Sequence, residues 1–230
     1  KGCSNLKSIN ISNGVTELGE SAFEGCSNLE SISIPDSVTL IGECAFENCS
    51  SLKSISIPDN VTEIGRFAFD DCTNLTSINI PDSVALIGDS AFRNCISLTS
   101  INIPDSVTEI EQFTFAGCSS LKSINIPDSI TEIGSNVFMD CTSLESIIIP
   151  KNIKTIHENT FANCKNLAKI EIKFSDASVS ISAFSNCPNL SEIIFKKNKN
   201  RIQDFITADL NNITELIIPY GYTIIDNNSF

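Results

Sequence analysis

Tryptophan is absent from this 230-residue chain, histidine and methionine occur once each, and tyrosine occurs twice. Binding energy at protein interfaces concentrates in Trp, Tyr and Arg, so the usual anchors of a tight contact are scarce. Positive charge is scarce too: 15 Lys and Arg stand against 28 Asp and Glu, a formal net charge of −13. Affinity for nucleic acid and for anionic membranes comes from clustered cations that release counterions, and so strongly negative a chain argues against both. No run reaches the roughly 18 apolar residues that a spanning helix needs, and the N-terminal KGCSNLKSIN lacks the charged-then-apolar order of a secretory signal. P-loop, GxGxxG, HExxH and GxSxG patterns are all missing, so no enzyme class is indicated and the chain is read as non-enzymatic.

What is present is repetition. Cys3, Cys26, Cys49, Cys72, Cys95, Cys118, Cys141, Cys164 and Cys187 recur every 23 residues, and Leu210 takes the tenth place. Offsets below count from these positions. The second unit carries Leu29 at +3, Ile32 and Ile34 at +6 and +8, Pro35 at +9, Val38 at +12, Ile41 and Gly42 at +15 and +16, and Ala45 and Phe46 at +19 and +20. A fixed period of this length with leucine-type spacing predicts a solenoid, in which each unit buries its apolar face against its neighbours.

The alternation in SISI places Ile32 and Ile34 inward and Ser31 and Ser33 outward, the period-2 signature of a half-buried strand. Proline at +9 has no N–H for a ladder and ends the strand, and the Asp-Ser or Asp-Asn that follows favours a turn. The VTEIG piece is too short for a stable helix and reads as extended or turn-like, with Gly at +16 serving either a positive φ or a close backbone approach. The SAFENC piece is expected to form one helical or 3₁₀ turn that delivers Phe at +20 to the core. The phenylalanines at +20 then form a continuous spine, in which one Phe→Ala costs about 3–5 kcal/mol.

The pattern C-x2-L-x2-I-x-I-P-x2-V-x2-I-G-x2-A-F, which runs the length of the chain, resembles the BspA-like, or treponemal, class of leucine-rich repeats. The resemblance implies a leucine-rich repeat solenoid of ten 23-residue coils, with a parallel β-sheet on one face and short turns or 3₁₀ segments on the other. It implies a single domain over residues 1–230, regular through 164 and divergent over 165–230, where Lys173 and Lys196 replace proline, Asp176 and Lys199 replace the +12 aliphatic, and Thr207 replaces phenylalanine. Members of the class resemble surface or secreted adhesion proteins. The resemblance therefore implies a module that binds protein or glycan ligands, set at a cell surface or secreted, with no catalytic residues and no cofactor to carry over. Both ends fall inside the repeat frame, Phe230 at +20 among them, so a longer parent array or end-to-end self-association is expected.

Several residue columns invite a chemical reading. Nine cysteines in register suggest metal or disulfides, but a zinc site needs four converging ligands, whereas a column of parallel side chains points one way; buried thiols acting as small apolar residues fit better. Cys44 falls outside that register, at +18. His157 occupies the +16 position usually held by glycine, with Glu158 beside it; a base or ligand is conceivable, a structural role the plainer account. Asp36, Asp59, Asp82, Asp105 and Asp128 at +10 suggest calcium, yet one Asp per turn falls short of the six to eight oxygens that calcium takes, and Asp is favoured at turns for local reasons. Sequons occur at Asn10, Asn48, Asn60, Asn74, Asn189, Asn212 and Asn227.

The outward strand positions are the candidate partner surface. Ser54, Ser77, Ser100 and Ser123 stand at +5, with Ser56, Asn79, Asn102 and Asn125 at +7, giving a flat, uncharged face rich in donors and acceptors. It suits protein backbone or sugar hydroxyls, or else merely keeps the rod soluble. Beyond Asn125 the face changes to Ile148, Glu171 and Ile194 at +7 and Lys169 and Glu192 at +5, a region with better anchors. The rival to an adhesion module is a spacer rod or an intracellular scaffold.

Overall fold

The computed structural model describes residues 2–173, 178–180, 182–195, 201–202, 214–217 and 224–225. The chain winds as a solenoid in which residues 23 apart become neighbours: Ser54 pairs with Ser77 and Ser77 with Ser100, all in parallel. About eight full turns are seen, against the ten expected, because most of the last two coils lie outside the described residues. The expectations for Asp176, Lys196, Lys199, Thr207, Leu210 and Phe230 lie outside them as well.

Inward residues of every coil form one core. Phe23, Phe46, Phe69, Phe92, Phe115, Phe138, Phe161 and Phe184 stack ring on ring at 5.2–5.8 Å, within 16° of parallel. The cysteine column packs beside them, buried from Cys26 to Cys187. From Cys49 to Cys187 each thiol donates to a phenylalanine carbonyl of the preceding coil, as Cys95 Sγ does to Phe69 O at 3.2 Å. The thiols are therefore free, apolar in their packing, and still satisfied as donors.

The expected helical or 3₁₀ turn at SAFENC does not form; among the described residues no helix of any kind is present. Tandem β-turns replace it, because the residues at +18 and +22 adopt left-handed backbone, with φ of 53–62° at the non-glycine positions. At +22 the chain supplies residues suited to that conformation, among them Asn48, Asp71, Asn94 and Gly117. This geometry turns alternate N–H groups toward the next coil: Cys44, Phe46 and Asn48 donate to the carbonyls of Arg66, Ala68 and Asp70, each at 2.8 Å.

Opposite this turn ladder run two strand ladders. One uses +5 to +8 and forms the broad strand face. It is patchy in the first half, where strands such as Ser54–Ser56 are short and Asn102 meets Asn125 only as an isolated bridge. It becomes regular in the four-residue strands Ser146–Ile149, Lys169–Ile172 and Glu192–Phe195, which pair in register and then meet Glu215–Ile217. The difference follows from the outer column, since β-branched isoleucine favours the pleat and serine and asparagine do not.

The other ladder uses +14 and +15, as in Glu63–Ile64 pairing with Leu86–Ile87. Glycine at +16 serves a close approach there and no positive φ: a Cβ on Gly65 would lie 2.7 Å from the Glu43 nitrogen. At the Pro-Asp-Ser-Val turns, Val38 N–H bonds Pro35 O at 3.0 Å, the predicted stop. The stitching side chain there is the serine, since Ser37 Oγ donates to Val15 O of the preceding coil at 2.7 Å.

Candidate functional site

The strand face presents its predicted residues to solvent. Ser54, Ser56, Ser77, Asn79, Ser100, Asn102, Ser123 and Asn125 are all exposed. No charged side chain interrupts these two columns. The second region differs. Ile148 is 47% exposed, and the strand register sets it beside Glu171, which in turn stands beside Ile194. Glu171 and Ile194 are half-buried, and the flanking Lys169 and Glu192 join in an ion pair at 2.9 Å. This region therefore combines an apolar contact point, charges of both signs and the most continuous part of the sheet.

Cross-coil ion pairs follow the period. Lys53–Glu30, Arg66–Asp89, Arg93–Asp70, Lys151–Asp128 and Lys169–Glu192 each join residues 23 apart. The Arg93–Asp70 pair went unnoticed in the sequence, although opposite charges one period apart were the signal. Asp70 is wholly buried, and Arg93 grips it with Nε at 2.9 Å from Oδ1 and a second bond from its terminal nitrogen. Burial pushes the Asp70 carboxyl up, and the Arg93 guanidinium offsets part of that rise. Arg93 and Arg66 also lie over the ring of Phe67, at 5.5 and 5.7 Å from its centroid. Phe67 holds φ at 54°, a costly conformation for a bulky residue. Both arginines are paired, so the cluster braces the turn side.

Among the described residues the +14/+15 ladder is interrupted late, between Ser178–Val179 and Arg201–Ile202, and earlier at two gaps, between Leu86–Ile87 and Glu109–Ile110 and between Glu132–Ile133 and Thr155–Ile156. In intact coils Gly65 N–H bonds Ile41 O and Thr62 N–H bonds Thr39 O; no corresponding bond reaches Ile87 from Glu111 or Ile133 from His157. Glu111 and His157 are +16 residues carrying a Cβ where glycine usually sits. A Cβ alone does not open the ladder, because Ser180 keeps its bond to Ile156 at 2.8 Å. Both earlier gaps share a second feature, a threonine at +19: Thr114 and Thr160 donate their hydroxyls to Glu111 O and His157 O. At the second gap a cleft of about 580 Å³ opens, lined by Thr131, Glu132, Asn152, Lys154, Thr155 and His157. His157 thus does meet a cleft, but Glu158 is not part of its lining and no nucleophile–base pair is assembled there.

Among the described residues no three His, Cys, Asp or Glu side chains converge as a metal site would require. The Asp36, Asp59, Asp82, Asp105 and Asp128 column is exposed along one edge. Burial pushes the Cys118 thiol up to about 12. Burial does the same to Cys44, assisted by a hydrogen bond to Glu47, again to about 12. The sequons at Asn10, Asn48, Asn60, Asn74 and Asn189 are exposed; Asn212 and Asn227 lie outside the described residues.

The family model for the BspA type leucine rich repeat region matches residues 1–122 and 108–230. The chain belongs to the BspA-type leucine-rich repeat family. A leucine-rich repeat protein from Bacteroides ovatus is 33% identical over 97% of this chain, with a TM-score of 0.75. The chain spans 63% of the length of that relative. The T. pallidum leucine-rich repeat protein is 31% identical, with 81% of this chain and 84% of that one aligned and a TM-score of 0.66. The pneumococcal vaccine antigen PcpA shares the fold at 18% identity and a TM-score of 0.58, over 94% of this chain and 68% of its own. No curated protein matches the chain. No catalytic family is indicated; the leucine-rich repeat fold is typically a non-enzymatic scaffold, and the family is generally one of protein-interaction or surface-associated proteins. Among the described residues no helix is long and apolar enough to cross a membrane.

Proposed function

We propose that this chain is a non-enzymatic adhesion module that binds protein ligands at a cell surface or in the matrix through its strand face, with the contact centred on Ile148, Glu171 and Ile194. The observation that carries this reading is the exposure of Ile148 on the most regular part of the sheet, next to a charged pair. A rigid pleated surface with an apolar centre and a polar rim is the ordinary anatomy of an interface. The Ser and Asn columns extend the same plane and supply hydrogen-bond partners around that centre. Membership of a family of interaction and surface-associated repeat proteins supports the setting.

The test is capture of ligands from host-cell surface and matrix extracts by three rods: wild type, Ile148→Lys with Ile194→Lys, and a triple Ser54→Lys, Ser77→Lys, Ser100→Lys. The reading expects the isoleucine variant to lose a ligand that wild type retains, and the serine variant to retain it more weakly. Equal recovery by all three rods removes the strand face from the account and favours a spacer.

A further inference from the structure

The cleft at the second ladder gap has a chemistry of its own, separate from the strand face. Its two walls are adjacent coils that fail to pair. On the earlier wall the carbonyls of Thr131 and Ile133 lack the N–H partners that Thr108 and Ile110 have in the previous coil. On the later wall the N–H groups of Lys154 and His157 lack the acceptors that the ladder gives their equivalents, Thr131 and Gly134. One wall therefore offers acceptors and the other donors, open to solvent and so available to a ligand. The side chains repeat this division. Glu132 stands on the acceptor wall and Lys154 on the donor wall, and neither forms an ion pair with any described residue. No Phe, Leu, Ile or Val side chain lines the cleft, and its apolar surface is limited to the threonine methyls, the Lys154 stem and the His157 ring. A smaller cleft of about 200 Å³ adjoins it, sharing Glu132 and His157 and adding Glu111 and Gln112.

We propose that this cleft is a binding site for a small zwitterion of the α-amino-acid class, free or as a dipeptide. Its carboxylate meets Lys154 and the N–H groups of Lys154 and His157; its ammonium meets Glu132 and the carbonyls of Thr131 and Ile133. A volume of about 580 Å³ falls within the ordinary range for small-molecule sites and leaves room for two residues. A large apolar ligand finds no Phe, Leu, Ile or Val to pack against, and an ion of a single sign engages only one of the two walls. His157 is the residue that creates the site, since glycine at +16 keeps the ladder closed even beside a β-branched +19 residue, as Gly134 does beside Val137.

Titration of glycylglycine into the full chain, followed by amide ¹H–¹⁵N correlation spectra, tests the proposal. The expected result is saturable shifts at Lys154 and His157, with a Kd on the order of millimolar for so small a ligand. N-acetylglycylglycine and glycylglycinamide, each missing one charge, are expected to bind about tenfold more weakly. His157→Gly is expected to fold with a urea midpoint at or above wild type and to lose the shifts. Lys154→Ala serves the same purpose on the carboxylate side without touching the ladder. The proposal is overturned by no shift at these amides, by equal binding of the blocked dipeptides, by maltose producing the same shifts, or by retention of binding in both variants.

Discussion

Arg93 reaches back one coil and closes two hydrogen bonds on the carboxylate of Asp70, a residue with no exposure to solvent. The pair lies on the turn side and depends wholly on stacking, since 23 residues of chain separate its members. Arg93→Ala strips Asp70 of its partner and leaves a carboxyl in the core. The expected loss is about 2–3 kcal/mol, below the 3–5 of a fully enclosed pair because the outer part of Arg93 remains in water. Urea unfolding of Arg93→Ala against Asp70→Asn in the same background checks this: the asparagine variant, which buries no orphaned charge, is expected to be the milder.

Glycine at +16 is required by space only in the coils where the preceding backbone closes on it, as it does at Gly42, Gly65, Gly88 and Gly134. Gly65→Ala sets a methyl 2.7 Å from backbone atoms of the preceding coil and is expected to cost about 1–3 kcal/mol. Gly19→Ala meets nothing within 4 Å and is expected to be neutral. Thermal unfolding of the two variants separates them; equal midpoints contradict the close-approach account.

The thiol column makes the rod sensitive to alkali. The unfolded chain releases a thiol proton near the ordinary value of 9, whereas Cys118 in the fold holds its proton to about 12. Between those values the native state binds more protons than the unfolded one, so stability falls as pH rises, by about 1.4 kcal/mol per pH unit for each such thiol, and is unaffected well below 9. Under reducing conditions, urea midpoints at pH 8, 9 and 10 are expected to drop steeply for wild type and less steeply for Cys118→Ala.

Alkylation of the native protein reports the same burial. Cys3 is exposed, Cys44 is half-buried with its thiol pushed up to about 12, and Cys26 to Cys187 in the column are buried. Iodoacetamide near neutral pH is expected to modify Cys3 rapidly and Cys44 slowly. Intact mass spectra with several fast adducts contradict the packing of the column.

The stack itself was legible because the 23-residue period survives without insertion, so Cys49 had to lie on Cys26 and Phe46 on Phe23. The turn side was not legible. Tandem turns and a 3₁₀ turn bury the same Phe, and only the run of Asn, Asp and Gly at +22 marks the left-handed backbone. Phe67 gives no such sign at +18. The +16 glycines were readable as a demand for closeness or for positive φ, and only neighbouring backbone decides between them. The earlier ladder gaps needed two columns read together, Glu111 with Thr114 and His157 with Thr160. On the strand face the sequence names the exposed residues correctly but is silent on pairing, which shows the Ile148 end to be the firmer sheet. The irregular stretch after Phe195 lies largely outside the described residues.

The uniform 23-residue spacing of ladder bonds, thiol bonds and ring stacks makes each coil an interchangeable part. Removing or duplicating 23 residues joins equivalent edges and keeps the Cys and Phe columns continuous, so unequal recombination within the gene can lengthen or shorten the rod wherever it does not split a coil-specific pair such as Arg93–Asp70. A single-residue insertion in one coil has the opposite effect, since it sets a polar residue where a phenylalanine or cysteine should land. The architecture is therefore tolerant of large changes in length and intolerant of the smallest.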